Sequence, residues 1–206
     1  MLDQLAFLPA EELDLGTYKS DFQDHFWKAD MSWKLERQVT FKEPSSPSWL
    51  AMIEGDWRKS LRLAEEMRAG RVQHQRELDR SGIVQRRIRF VCDPPTPYLQ
   101  WELHLLAIWA QLGEQIRILP AETIAHLEER AELPEVVVLG DRSPRPVMYD
   151  IQYTDGVLSG ARKFTDLDLI NTCRRVITDH WQRGEDIRHY FPRKIENLPP
   201  PAPQRV

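Results

Sequence analysis

The stretch RRIRFVCDPPTPYLQWELHLLAIWAQLGEQIRIL, residues 86–119, decides the fold class. It reads as a short strand, a proline-marked turn, a long apolar helix, a glycine stop and a second short strand. A strand, a crossover helix and a second strand form the unit that builds a parallel pair in an α/β domain. Thr96 is the predicted N-cap of the helix, Pro97 its first position and Gly113 its end. The sequence therefore predicts an α/β fold with a mixed sheet.

Other elements extend outward from this crossover. The apolar residues of its helix lie on two stripes, so we expect burial on two sides, between the sheet and the N-terminal part. Downstream, the pattern predicts a short helix over 121–130, a strand over 135–139, a hairpin of 146–153 and 157–164 around Asp155-Gly156, and a closing amphipathic helix over 166–184. Upstream, it predicts an irregular arm over 1–20, a helical turn over 21–29, a strand over 33–41, a loop over 42–49 with Ser48 as helix cap, and helices over 49–55 and 56–81 that end at Gly82.

The chain divides into three parts by composition and pattern. We expect an N-terminal arm and mainly helical lobe over residues 1–82, followed by an α/β domain over 83–192. Residues 193–206, which contain PPPAPQRV, are predicted to form a proline-rich, disordered tail.

Composition favours a cytoplasmic protein. The opening segment MLDQLAFLPAEELDLG has no basic region of the kind that begins a signal peptide, and no apolar run approaches the ~18 residues of a membrane span. Cys92 and Cys173 lie far apart, and we expect both to be buried, reduced thiols.

The charge is unevenly distributed along the chain. Residues 58–89 contain ten basic and four acidic side chains, although the whole chain carries a net charge of −4. Such a stripe suits nucleic acid or an acidic protein partner. The alternative, which we favour, is a solvated helix face with internal ion pairs. Direct nucleic-acid binding is therefore not expected.

The sequence lacks the common motifs of catalysis and cofactor binding. None of the six His and two Cys has zinc-type spacing, and neither GxGxxG nor GxxxxGK[ST] occurs, so we predict no metal and no cofactor. A GxSxG elbow is also absent, although Ser-His-Asp triads assemble through space and leave no required spacing.

Glu102 is the most informative single residue, because a carboxylate in so apolar a helix must be paired or protonated. Arg87 and Arg89 on the preceding strand are the natural partners. Either Glu102 belongs to a ligand site or acts as a general acid or base, or it anchors the helix to the strand through a salt bridge. We favour the anchor.

A second candidate feature is the crevice after the first strand of the crossover. Ligands of α/β sheets bind outside the carboxyl ends of strands and beside helix N-termini, where Asp93, Thr96 and Tyr98 fall. Asp93 would repel an anion, which weakens a phosphate site. The candidate ligand-binding residues are Glu102, Arg87, Arg89, Asp93, Tyr98 and Trp101.

Four tryptophans, Trp27, Trp33, Trp49 and Trp57, fall in the N-terminal part. They suit the stacking of bases or of an aromatic ligand. More often such residues form the core of the region that contains them, and we favour that interpretation.

A resemblance is carried by FWKADMSWKLERQVTFKEPSSPSW, residues 86–119, LPEVVVLGD and ARKFTDLDLI. Across roughly residues 25–192 the chain resembles the DUF6879 family, an actinobacterial family of unknown function. Its most specific parts are residues 33–36, the run PYLQWEL and the segment 113–119. The resemblance implies a regulatory role, since members of that family look like genomic companions of helix-turn-helix regulators.

The second half of the chain also resembles one half of a phospholipase D-type domain. The likeness rests on the order of strand, helix, GxxIRxL strand, VVVLGD strand, hairpin and a closing helix with Trp181 near its end. Catalysis in that superfamily implies a His-x-Lys pair, whereas residues 146–164 contain no His, and Lys163 is their only Lys. The resemblance therefore implies a catalytically silent relative.

Two classes of function follow. The first is a non-catalytic ligand- or protein-binding regulatory module, a companion of a helix-turn-helix transcription regulator or another protein. The second is a small cofactor-independent enzyme of a type such as those in specialised metabolism, with a polar site around Glu102. A deep pocket around Glu102 favours the enzyme, whereas a flat apolar patch favours a partner interface.

Overall fold

One mixed sheet of eight strands forms the centre of this computed structural model, which describes residues 2–128 and 131–202. The strands are, in chain order, β1 (Glu11–Asp14), β2 (Met31–Glu36), β3 (Val84–Val91), β4 (Gln115–Pro120), β5 (Glu135–Leu139), β6 (Val147–Thr154), β7 (Val157–Phe164) and β8 (Glu185–Asp186). Their order across the sheet is β1-β7-β6-β5-β2-β3-β4-β8. The pairs β2–β3 and β3–β4 are parallel, and the remaining pairs are antiparallel.

Helices cover both faces of the sheet. The α-helices of the described residues are α1 (Leu15–Phe26), α2 (Pro47–Ile53), α3 (Trp57–Glu66), α4 (Arg68–Ser81), α5 (Pro97–Leu112), α6 (Leu167–Arg183) and α7 (Ile187–Lys194), with 3-10 helices at Leu2–Phe7 and Ala121–Leu127. In the part of the chain that the structure describes, no helix has both the length and the hydropathy needed to span a bilayer.

The predicted crossover is confirmed in its details. The Thr96 side chain caps α5 by accepting a hydrogen bond from the Leu99 amide at 3.1 Å, and Pro97 occupies the first turn. Gly113 ends the helix with a φ of 131°, a conformation that L-residues rarely adopt. One side of α5 packs in a core with α2 and α3, and the other packs in a core with β4 and α7. The expected burial on two sides is therefore confirmed.

The alternation of side chains along β3 determines which face of the sheet its charged residues occupy. Ile88 and Phe90 lie in the core shared with α6. Successive side chains of a strand point to opposite faces, so Arg87 and Arg89 project toward the other face, where α5 packs. The central strand thus carries two buried arginines next to a helix that carries a carboxylate.

The N-terminal part differs from the expected helical lobe. Residues expected to be irregular form β1, which pairs with β7, and the first half of α1, which Asp14 caps through a 2.8 Å hydrogen bond from the Thr17 amide. Strand β2 pairs with β3 and β5 at the centre of the sheet. Strands from the expected N-terminal part, residues 1–82, and from the expected α/β domain, residues 83–192, therefore form one sheet. Helices α2, α3 and α4 supply the helical part.

Several predicted boundaries are wrong. The strand expected over 33–41 ends at Glu36, because the amides of Arg37 and Gln38 donate to the Glu135 side chain and turn the chain out of the sheet. Ser46, not Ser48, caps α2. The helix expected over 56–81 is divided at Met67 into α3 and α4.

Other boundaries agree. Strand β5, the hairpin of β6 and β7, and helix α6 lie where they are expected, although α7 follows α6. Residues 129 and 130 of the helix expected over 121–130 lie outside the described residues. Residues 203–206 of the expected disordered tail also lie outside the described residues. In the described part of the tail, Ile195 is buried, and Gln100 Nε2 donates a hydrogen bond to the Pro199 carbonyl at 2.8 Å. The described part of the tail is thus packed on the fold.

Gly160 is required where β1 meets β7. A Cβ atom there would collide with the Leu13 carbonyl oxygen. We expect Gly160→Ala to lower the free energy of unfolding by about 1–3 kcal/mol, since the edge strand must move. Gly70→Ala is the control, because its Cβ meets open space in α4, and it should stabilise by about 0.5–1 kcal/mol. Chemical denaturation measures both, and equal effects of the two variants would contradict the assignment of β1.

Candidate functional site

Glu102 on α5 forms a buried ion pair with Arg89 on β3, as the sequence predicts. Arg89 Nε lies 2.7 Å from Glu102 Oε2, and the two residues are 0% and 7% exposed. Arg89 Nη1 also donates to the carbonyls of Glu36 and Phe90, each at 3.3 Å. Burial raises the pKa of Glu102, and Arg89 opposes that rise. The pair joins the crossover helix to the central strand.

Arg87 forms a second buried pair set on the same face. Its Nη1 lies 2.6 Å from both carboxylate oxygens of Glu36, and its Nε lies 2.8 Å from Glu114 Oε1. Arg71 of α4 pairs with the other oxygen of Glu114. We call Glu36, Arg71, Arg87, Arg89, Glu102 and Glu114 the buried charge network. It links β2, β3, α4, α5 and the turn before β4.

The remaining predicted site residues do not all converge. The Tyr98 hydroxyl lies 3.3 Å from Glu102 Oε1, so Tyr98 borders the network. Trp101 is buried, but its Nε1 donates to Ser48 Oγ at 2.8 Å, away from Glu102. Asp93 is exposed and lies 3.4 Å from Lys194 Nζ. Asp93 is therefore not brought together with the buried charges, and the crevice beside it stays a prediction.

Glu135, the first residue of β5, is part of this region and was not predicted. Its Oε1 accepts hydrogen bonds from the amides of Arg37 and Gln38, each at 2.6 Å. Burial raises its pKa to about 8. Among the described residues, Glu135 Oε2 and Arg89 Nη2 have no hydrogen-bond partner. A carboxylate that opens the apolar run EVVVL was the signal in the sequence.

A small pocket lies beside these groups. Its volume is about 120 Å³, and Lys34, Glu36, Glu135 and Tyr153 are among its lining residues. Burial, with Arg87 nearby, lowers the pKa of Lys34. This space has room for only a few water molecules, whereas pockets for small organic ligands measure about 300–1,000 Å³. Glu102 does not line it, so the deep pocket that would favour an enzyme at Glu102 is not found there.

A larger pocket of about 540 Å³ lies between α1, the loop from β5 to β6, β7 and the start of α6. We call it the α1–β7 pocket. Its basic lining residues are His25, Lys28, Arg145 and Lys163. Ser143 and Thr165 add hydroxyl groups, and Ala29, Leu139, Val147 and Leu167 are among its apolar lining residues. Its volume is in the range of small-molecule sites.

Asp21 of α1 organises one wall of the α1–β7 pocket. Lys163 Nζ lies 2.7 Å from its Oδ1, and the Tyr149 hydroxyl donates to its Oδ2 at 2.7 Å. Burial would raise the pKa of Asp21, but these two hydrogen bonds outweigh it and the pKa lies below the usual value. His25 Nδ1 lies 2.8 Å from the backbone carbonyl of Asp21. This wall is missed by sequence reasoning because its members come from distant segments without a motif.

The basic segment 58–89 does not present a continuous basic stripe. Arg87 and Arg89 belong to the buried charge network, and Arg71 pairs with Glu114. The Arg86 guanidinium lies over two indole rings, with centroid distances of 4.9 Å to Trp33 and 4.6 Å to Trp181. These contacts favour the interpretation of segment 58–89 as a solvated helix face with internal ion pairs.

The four tryptophans of the N-terminal part do not form one cluster. Trp33 and Trp49 are buried in two different cores, and Trp57 packs against the second of them. Trp27 is exposed. The tryptophans thus serve mainly as core residues.

The free thiols are those expected, but only Cys173 is fully buried, while Cys92 is half-buried. In the described part of the chain, no group of three or more His, Cys, Asp or Glu side chains is placed to hold a metal ion.

Fold and site together define a mixed α/β protein. Paired charges are buried on the face of its sheet where α5 packs, and a basic pocket lies between α1 and β7. The chain belongs to the DUF6879 family, a domain of unknown function, whose family model matches residues 20–192. The family resemblance of the sequence is thereby confirmed. No curated protein matches the chain.

The burial of Glu102 generates a stability prediction. Glu102→Ala should lower the free energy of unfolding by about 3–5 kcal/mol, because Arg89 would remain buried and uncompensated. Glu102→Gln should cost less, since its amide oxygen still accepts from Arg89 Nε. Glu66→Ala is the control: its pair with Arg62 is 3.7 Å long and exposed, so the change should stay within about 1 kcal/mol. Equal losses for Glu66→Ala and Glu102→Ala would refute the anchor.

The raised pKa of Glu135 generates a pH prediction. Its carboxyl has a pKa of about 8 in the fold, against a usual value of 4.5, so it stabilises the fold at low pH and this contribution is lost as pH rises toward 8. Glu135→Gln stays neutral and should therefore gain stability relative to wild type between about pH 5 and 9. Each pKa unit corresponds to about 1.4 kcal/mol, so the gain should reach a few kcal/mol. Denaturant titrations at several pH values measure it, and a pH-independent difference would show that Glu135 is ionised throughout.

Proposed function

We propose that the protein is a non-catalytic regulatory module that binds a small molecule in the α1–β7 pocket. The observation that carries the proposal is this pocket itself, whose volume of about 540 Å³ and mixed basic and apolar lining suit a small organic ligand. Its ordered Lys163–Asp21–Tyr149 wall gives the site a preformed geometry.

The buried charge network supports a binding role over a catalytic one. Arg87 is ion-paired with Glu36 and Glu114, and Arg89 with Glu102, so these charges are not available to bind or activate a substrate. Removing any of them would leave a buried charge without a partner. We therefore assign the network to the stability of the sheet.

The likeness to half of a phospholipase D-type domain supports the same proposal. The hairpin of β6 and β7 carries Lys163 without a His two residues before it. Asp21 holds Lys163 in an ion pair, and the His nearest to this pair, His25, comes from α1. A silent relative would keep a binding pocket without the phosphoryl-accepting nucleophile.

We further propose that the module works in the cytoplasm with a helix-turn-helix transcription regulator or another protein partner. The resemblance to a family whose members look like genomic companions of such regulators supports this partner. The pairing of the basic residues in 58–89 favours a protein partner over direct contact with nucleic acid.

Native mass spectrometry tests the binding role. We expect protein purified under non-denaturing conditions to carry a small-molecule adduct whose mass does not change on incubation. Thr165→Trp places an indole at the pocket from an exposed position, so it should abolish the adduct without unfolding the chain. An adduct that persists in Thr165→Trp would contradict binding in this pocket.

The alternative is a small enzyme. The titratable groups Lys34 and Glu135 favour it, whereas the pocket that they line, of about 120 Å³, admits only a very small substrate. A lysine with a lowered pKa and a carboxyl with a pKa of about 8 are typical of acid-base chemistry. The same spectra test this function, because an enzyme would convert the bound molecule in wild type but not in Glu135→Gln. A binding module would leave it unchanged in both.

A further inference from the structure

We propose that the α1–β7 pocket selects an amphipathic organic anion, a small molecule with an anionic group and an apolar body. This inference rests on the proposed function and names the class of ligand that the site takes. It follows from the charges, the free donors and the apolar surface of the pocket.

The charge of the lining is positive. Lys28, Arg145 and Lys163 line the pocket together with His25, and among the described residues no carboxylate lines it. Asp21 lies behind this surface, where its charge is matched by Lys163 at 2.7 Å. Among the described residues, Lys28 and Arg145 have no ion-pair partner, so their positive charges remain available at the pocket. A cationic ligand would be repelled, whereas an anion would be attracted.

Hydrogen-bond donors remain for such an anion. An ammonium group has three N–H donors, and Lys163 uses one on Asp21 Oδ1. His25 Nδ1 donates to the Asp21 carbonyl, so the Nε2 atom of the neutral ring is an acceptor and His25 is not counted among these donors. Ser143 Oγ accepts from the Arg145 amide at 3.1 Å, so its own hydroxyl proton is free to be donated.

The lining also contains apolar surface that a bare inorganic anion would not cover. Ala29, Leu139 and Val147 line the pocket, and Leu167 lies at it with half of its surface exposed. A ligand that buries this surface gains about 25 cal/mol for each Å² of apolar area removed from water. Sulfate or phosphate alone would use the donors and leave the apolar wall wet.

Two fluorescent probes test the inference directly. Anilinonaphthalene sulfonate is an amphipathic anion, and phenylnaphthylamine is the same ring system without the sulfonate. We expect the sulfonate probe to bind the full chain at least about tenfold more tightly than the neutral probe. Thr165→Trp should abolish the binding of both, because it occupies the pocket.

The charge dependence is tested with a matched pair of double variants. Lys28→Gln with Arg145→Gln removes these two positive charges and should weaken the sulfonate probe by about tenfold while leaving the neutral probe unchanged. The control is Lys19→Gln with Arg142→Gln. It also removes one lysine and one arginine charge, from α1 and from the loop between β5 and β6, but neither residue lines the pocket, so it should change neither affinity. Circular dichroism confirms that all variants are folded.

The outcomes separate the two proposals. If both probes bind equally in a manner blocked by Thr165→Trp, or if the two double variants behave alike, the pocket binds small molecules but the anionic class is wrong. If neither probe binds, or if binding persists in Thr165→Trp, the pocket is not a small-molecule site and both proposals fall.

Discussion

Two buried arginines on one strand are the constraint on which the rest of the fold depends. Arg87 and Arg89 lie on β3, which pairs with β2 and β4 at the centre of the parallel part of the sheet. Buried guanidinium groups require carboxylates close by, because an unpaired charge in the interior costs several kcal/mol. Glu36, Glu102 and Glu114 meet that need from β2, α5 and the turn before β4. The register of β2, the position of α5 and the start of β4 are thereby linked.

Local signals in the sequence were sufficient for the crossover and for its anchor. Thr96, Pro97 and Gly113 set the bounds of α5 through short-range chemistry. The partner of Glu102 could be narrowed to Arg87 or Arg89 because both lie on the strand just before the helix, and the structure pairs it with Arg89. Strand β1 was missed, since Glu11–Asp14 is a polar edge segment that is ordered by pairing with β7. Glu135 was missed as well, because it meets Arg37 and Gln38 almost 100 residues away in the chain. Contacts between residues so far apart in the chain produce no characteristic spacing in the sequence.

The expected site and the pocket that we assign to function differ in the same way, because local sequence signals indicated the first and contacts between distant segments form the second. The polar residues that stand out in an apolar helix are those that the protein must pair internally, so we propose that here they stabilise the fold. The α1–β7 pocket instead combines residues from the end of α1, a loop, β7 and the start of α6. None is unusual alone, and their shared basic character appears only when the sheet brings α1 against β7.

The most direct test of this account is to replace the Arg89–Glu102 pair as a unit and measure the free energy of unfolding. Arg89→Met and Glu102→Leu should each be strongly destabilising alone, because each leaves one buried charge. Combined, they remove both charges and keep apolar volume, so the double variant should recover most of the loss. Recovery would show that α5 and β3 are coupled through this pair. Losses that simply add would contradict the central claim, because they would mean that the two charges do not depend on each other.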